Sequence, residues 1–225
     1  MNWDDSEHDF KNMLTLRRMT LADVPAIVEI HCSSWRPSEI SVKLRPRFVE
    51  RLYSAIAKSS HAFTYVAEKD GRIVAYSSGF LRYRNFNRSF VRSNLLFMAW
   101  IVLRQLLTGR FRIADLCNML TDSRKLRKLR FPDVHWGMAA VSNEYKGTSF
   151  GKKSFSMSVQ AVFNDLIKGG KPGVWGPCDS KNIAMERWLI SLGFEKVDRI
   201  KHFGREILVF EKVFNEEEKR SEGSN

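Results

Sequence analysis

The sequence predicts a single α+β domain built on a mixed, mainly antiparallel sheet. Two observations give the antiparallel part. Residues 62–68 and 72–81 are strand-like runs joined by the turn Lys69-Asp70-Gly71, where glycine supplies a positive φ, and residues 195–200 and 205–213 form a closing hairpin. A third observation makes the sheet mixed. A strand at 134–141, a helical run at 151–166 and a buried strand at 173–178 follow one another, which requires a parallel pair with a right-handed crossover.

The remaining elements follow in order. Residues 14–18 alternate like a short strand. Thr20 can cap a helix carrying Val24, Ile27, Val28 and His31, with Pro25 in the first turn, where a missing N–H is tolerated. HCSSWRPSEIS is a loop broken by Pro37, and a second helix spans 46–58 with Phe48, Leu52 and Ile56 on one face. In the 151–166 helix the apolar stripe is Phe155, Val159, Val162 and Phe163. The last helix, 182–192, stops at Gly193. Residues 1–13 are an acidic, polar tail unlike a signal peptide, and 215–225 are a charged tail expected to be disordered. The domain is thus 14–214, with an insertion at 83–132.

Charge is concentrated in that insertion. The chain carries a net +12, and residues 81–130 hold twelve Arg or Lys against two Asp. An anionic partner is expected there. The run LLFMAWIVLRQLL is apolar nearly all round but too short to span a bilayer, and SRKLRKLRF closes the segment. It reads as a face packed on the core or on a second subunit, as a peripheral membrane contact, or as a contact to an anionic substrate. Nucleic acid is not expected, because aromatics sit with aliphatics rather than between basic residues. Cys32, Cys117 and Cys178 lie far apart with no CxxC pair, so neither a zinc site nor a disulfide framework is expected, and the cytoplasm is the expected compartment.

VHWGMAAVSNEYKGTSFGKKSF runs from a buried strand through a glycine turn into a helix. Main-chain N–H groups at a helix N-terminus make an anion site, and Lys146, Lys152 and Lys153 add positive charge. The plainer reading is a tight strand-to-helix turn. The stretch resembles the coenzyme A pyrophosphate loop of the GNAT superfamily of N-acetyltransferases, Arg/Gln-x-x-Gly-x-Gly/Ala. Lys146 stands at the Arg/Gln place, Ser149 at the first signature Gly and Gly151 at the last, so two of three positions depart from the pattern. CDSKNIAMERWLISLGFEKV resembles the family's later motif through Asn182, Ala184, Gly193 and Phe194, and LRRMTLADVPAIVEIH resembles its first strand and helix. The match covers about 14–82 and 133–214.

The resemblance implies a GNAT-like acyltransferase fold, with helices on both sheet faces and a splayed parallel strand pair. It implies acetyl-CoA as acyl donor, and acetyl transfer to the primary amine of a small molecule or amino sugar. Backbone at Ala139, Ala140 and Val141 would hold the pantetheine arm. Lys146, Gly147, Thr148, Ser149, Phe150, Gly151 and Lys152 would hold the pyrophosphate, and Asn182 would steady the arm. His135 stands where many relatives carry a Glu base, and a histidine near neutral pKa suits that work; otherwise it is a half-exposed strand-end residue. Leu189, preceded by Trp188, replaces the usual Tyr acid, with Cys178, Ser180 or water as substitutes. His31, Trp35 and Arg36 fall beside the loop that borders the acceptor pocket in relatives, though Trp35 also reads as a core plug and Arg36 as a solvated side chain. The competing function is a catalytically degenerate coenzyme A-binding module with a scaffolding, sensing or membrane-peripheral role.

Overall fold

The computed structural model describes residues 14–35, 46–109, 124–202 and 205–215. Among these residues seven strands form one sheet: β1 (Thr15–Arg18), β2 (Ala62–Lys69), β3 (Arg72–Phe80), β4 (His135–Val141), β5 (Gly173–Asp179), β6 (Glu195–His202) and β7 (Arg205–Val213). Their spatial order is β1-β2-β3-β4-β5-β7-β6. All neighbours are antiparallel except β4 and β5. Asp70 at φ 49° and Gly71 at φ 73° close the β2–β3 hairpin with two left-handed residues, the arrangement whose twist matches the strands.

The sheet is covered on both faces. On one lie α1 (Val24–Ser34) and α2 (Pro46–Ala57), whose Ile27, Val49, Tyr53 and Ile56 bury against Val66, Tyr76 and Phe80. A single 3-10 turn precedes α1. There the Thr20 and Asp23 side chains exchange bonds with each other's main chain, and Arg17 ties Asp23 to Glu68 on β2. On the other face lie α5 (Ser149–Lys168) and α6 (Ile183–Ser191). The stripe expected on α5 is the one that packs: Val159, Val162 and Phe163 are buried with Trp136, Phe194 and Phe210, and Phe155 lies at the edge of the cluster.

The insertion begins as two helices, α3 (Tyr83–Ser93) and α4 (Leu95–Leu107), bent by 82° at Asn94. α3 is part of the domain core: Phe86 and Phe90 bury in the α1–α2 cluster, and Tyr83 reaches the sheet beside Phe80. The returning chain places Leu126 and Leu129 against Trp175, Ile200 and Val209. Both termini and residues 110–123 of the insertion lie outside the described residues.

Candidate active site

β4 and β5 meet at only one register position, His135 with Trp175, where the Trp175 N–H donates to the Val134 carbonyl at 3.0 Å. Alternate residues of a strand turn their N–H to the same neighbour, so the next β5 residue to face β4 is Pro177, which has no N–H. Beyond it the strands diverge. β4 is also irregular here. Ser77 opposes both Met138 and Ala139, a bulge that holds Met138 at φ 54°, rare for a side-chain-bearing residue. Because Ser142 N–H bonds the Val74 carbonyl on β3, the N–H groups of Ala139 and Val141 turn the other way, into the gap. Ala140 turns toward β3 and pairs with Tyr76.

The gap leads to the turn before α5. Gly147, at φ 83°, needs the left-handed freedom of glycine. Thr148 caps the helix: its Oγ1 accepts from Gly151 N–H at 3.0 Å and donates to the Tyr145 carbonyl at 2.7 Å. Gly151 is buried so tightly that a Cβ there would lie 2.1 Å from the Tyr145 carbonyl oxygen. The N–H groups of Tyr145, Lys146, Thr148, Gly151 and Lys152 are engaged inside the turn. Those of Gly147 and Ser149 stay outside that network, on an exposed surface. The main chain with N–H groups open to a ligand is therefore narrower than the whole segment 146–151. Lys146 and Lys152 are exposed beside it, and Phe150 packs on Tyr145 with the Lys69 ammonium 4.8 Å above its ring.

Across the gap, Asn182 is the N-cap of α6. Its Oδ1 accepts from Met185 N–H at 3.2 Å, which leaves its amide N–H groups directed outward at an exposed position. The preceding turn is set by Asp179, whose carboxylate accepts from Lys181 N–H at 2.8 Å and is clamped by Arg205.

The residues expected to move protons and bind the acceptor lie deeper than the sequence suggests. His135 sits in an aromatic cage: its ring stacks at 4.0 Å on Trp175, with Tyr83 at 4.6 Å and Phe80 at 5.4 Å, and Nδ1 is 3.3 Å from the Trp175 carbonyl. Burial pushes its pKa down to about 3. The half-exposed strand-end position is thus corrected to a core one, and a ring so placed has neither the basicity nor the access of a general base. His31 is fully buried. Its Nδ1 lies 3.0 Å from the Tyr53 hydroxyl and 2.9 Å from that of Tyr76, and burial lowers its pKa to about 4. Trp35, half-buried, stacks on its ring at 4.6 Å. The neighbouring Ser34 hydroxyl donates to the Val141 carbonyl at 2.7 Å, which fixes the end of α1 to the end of β4. Arg36 lies outside the described residues.

Leu189 is fully buried core, and burial raises the Cys178 thiol to about 12, so neither supplies an acid near neutrality. Among the described residues no three His, Cys, Asp or Glu side chains gather as a metal-binding group. Sequence reading missed Pro177 and the Met138 bulge. The first carries a visible signal, a proline inside a strand, whereas the second carries none, because methionine has no preference for positive φ.

No protein-family model matches the sequence, and no curated protein matches it significantly. Solved structures do. The ribosomal-protein-S18-alanine N-acetyltransferase of Escherichia coli superposes with a TM-score of 0.53 at 12% identity, covering 91% of this chain and 97% of that one. The PaiA N-acetyltransferase of Thermoplasma acidophilum, solved with coenzyme A, gives 0.55 at 11% identity over 89% and 99%. The protein yncA of Salmonella typhimurium, solved with acetyl-CoA, gives 0.51 at 17% identity over 91% and 96%. The fold is that of the GNAT N-acetyltransferases. The mixed sheet, its parallel β4–β5 pair and the helices on both faces are the GNAT architecture expected from the three motifs, with α3 and α4 between β3 and β4 in the chain.

Proposed function

We propose that this chain binds acetyl-CoA across the β4–β5 gap and transfers its acetyl group to the primary amine of a small molecule or amino sugar. The observation that carries the proposal is the opening of a parallel strand pair at Pro177, directly before a glycine turn with outward main-chain N–H groups. A pantetheine arm can bond the free N–H groups of Ala139 and Val141 as an extra strand would, while a diphosphate meets Gly147 and Ser149 at the positive end of a twenty-residue helix. Lys146, Lys152 and Lys69 supply cations around it. Two of the structurally similar proteins were solved with coenzyme A or acetyl-CoA, which supports the ligand class.

The chemistry asks little of side chains. A neutral amine attacks the thioester carbonyl, a β4 N–H facing the gap stabilises the developing oxyanion, and the C–S bond breaks to release coenzyme A thiolate. The ammonium proton passes to water, since His135 and His31 are buried and weakly basic, and the thiolate leaves without a dedicated acid. The acceptor enters beside Trp35 and the end of α1. Calorimetry with acetyl-CoA followed by thiol-release assays over a panel of amines and amino sugars tests the reading. Binding with acceptor-dependent thiol release is the expected result. Binding with no release on any acceptor replaces the enzyme with a coenzyme A-binding module, and no binding removes both.

A further inference from the structure

α4 is apolar on two sides, yet among the described residues only one side is covered. Inward, Ile101 buries against Phe48 of α2, with Phe97 and Leu106 beside it. Outward, Leu96 is 87% exposed, Trp100 52%, Leu103 56% and Leu107 78%. These positions are spaced four, three and four residues apart, so they form one continuous stripe along the helix. Single exposed leucines are ordinary, but an aligned row of three leucines and a tryptophan marks a contact surface.

The charges around the stripe identify its partner. No Asp or Glu occurs anywhere from residue 71 to 114. Arg88 and Arg92 on α3 and Arg104 on α4 are exposed, with Arg104 lying 5.4 Å over the Trp100 ring. Between α2 and the α3–α4 elbow opens a cleft of about 870 Å³, lined by Arg47, Arg51, Lys58, Phe97 and Trp100 and carrying a single carboxylate, Glu50. A second copy of the chain packed symmetrically on the stripe would oppose arginine with arginine, with no carboxylate on either helix to offset the repulsion. An anionic lipid surface meets both features at once: leucines and tryptophan enter the acyl boundary, and arginines reach phosphates.

We infer that the outward face of α4 docks on an anionic membrane surface, with the cleft between α2 and α4 receiving lipid phosphate. The contact is peripheral. α4 has thirteen residues, about 20 Å at 1.5 Å per residue against a hydrocarbon core of about 30 Å. No single described helix is long and apolar enough to cross a membrane. The α3–α4 pair together has the length and composition of a broken span, but it is bent by 82° and α3 buries Phe86 and Phe90 in the domain core, which holds it out of the bilayer.

Flotation of the full chain with phosphatidylcholine–phosphatidylglycerol vesicles and with pure phosphatidylcholine vesicles tests the inference. Wild type is expected to float with the mixed vesicles, to bind neutral ones at least about tenfold more weakly, and to lose binding as salt screens the arginines. Leu96→Ser with Leu103→Ser, both at exposed positions, should lose about tenfold or more while the melting curve and acetyl-CoA affinity stay unchanged. Arg88→Gln with Arg92→Gln should weaken binding to the mixed vesicles several-fold. Failure of wild type to float with mixed vesicles, or flotation of the Leu96/Leu103 variant like wild type, overturns the inference. So does light scattering that shows a dimer which the same variant converts to monomer, since a second copy then covers the stripe.

Discussion

Lowering the pH from 7.5 to 5 should strip this protein of about 4 kcal/mol of stability through two buried imidazoles. His135 and His31 have folded pKa values near 3 and 4, both lowered by burial, against about 6.5 in an unfolded chain. The unfolded state therefore binds more protons between those values, so stability is complete above about 6.5 and declines as pH falls toward 4. At pH 5 each unfolded histidine is stabilised by about 2 kcal/mol relative to the folded one. Against a typical total of 5–15 kcal/mol, roughly 4 kcal/mol brings the chain close to unfolding. Urea titrations at the two pH values measure the loss. His135→Phe keeps a ring among Trp175, Tyr83 and Phe80 but cannot be protonated, so the loss should shrink to about 2 kcal/mol, whatever the variant's fixed cost. An unchanged loss in the variant, or none in wild type, refutes the burial argument and would restore His135 as a candidate base.

Three further predictions concern the gap and its surroundings. Gly151→Ala places a Cβ 2.1 Å from a main-chain oxygen; overpacking of about 1–3 kcal/mol exceeds the roughly 1 kcal/mol gained in helix propensity. The turn must therefore shift, and calorimetry should show acetyl-CoA affinity reduced about tenfold or more. Pro177→Val restores an N–H facing β4 and should let the strands close; acetyl-CoA affinity falls while the melting temperature is kept or raised, the opposite pairing to that of a simple core defect. Arg205→Met removes the guanidinium that clamps the largely buried Asp179 carboxylate, and denaturant unfolding should show a loss of about 1–3 kcal/mol.

Much of the fold is legible in the sequence because local chemistry and burial agree there. Lys69-Asp70-Gly71 specifies a hairpin, and the α5 stripe faces the core it should face. Asn182 caps the helix that its motif places it on. Side-chain environment is less legible because it is assembled from distant segments. His135 looks half-exposed at a strand end, but Phe80, Tyr83 and Trp175, from three other elements, close over it. His31 follows a helical stripe that shows neither the Tyr53 nor the Tyr76 hydroxyl it meets. The same holds for α3. Its Phe86 and Phe90 belong to the α1–α2 core, a contact between segments tens of residues apart that no periodicity in the insertion reports.

Amide resonances followed by NMR during a coenzyme A titration test the central claim most directly. The largest shifts are predicted at Gly147 and Ser149, with Ala139 and Val141 following and the β6–β7 hairpin silent. Shifts confined to other surfaces, such as the basic cleft between α2 and α4, would contradict a coenzyme A site in the β4–β5 gap.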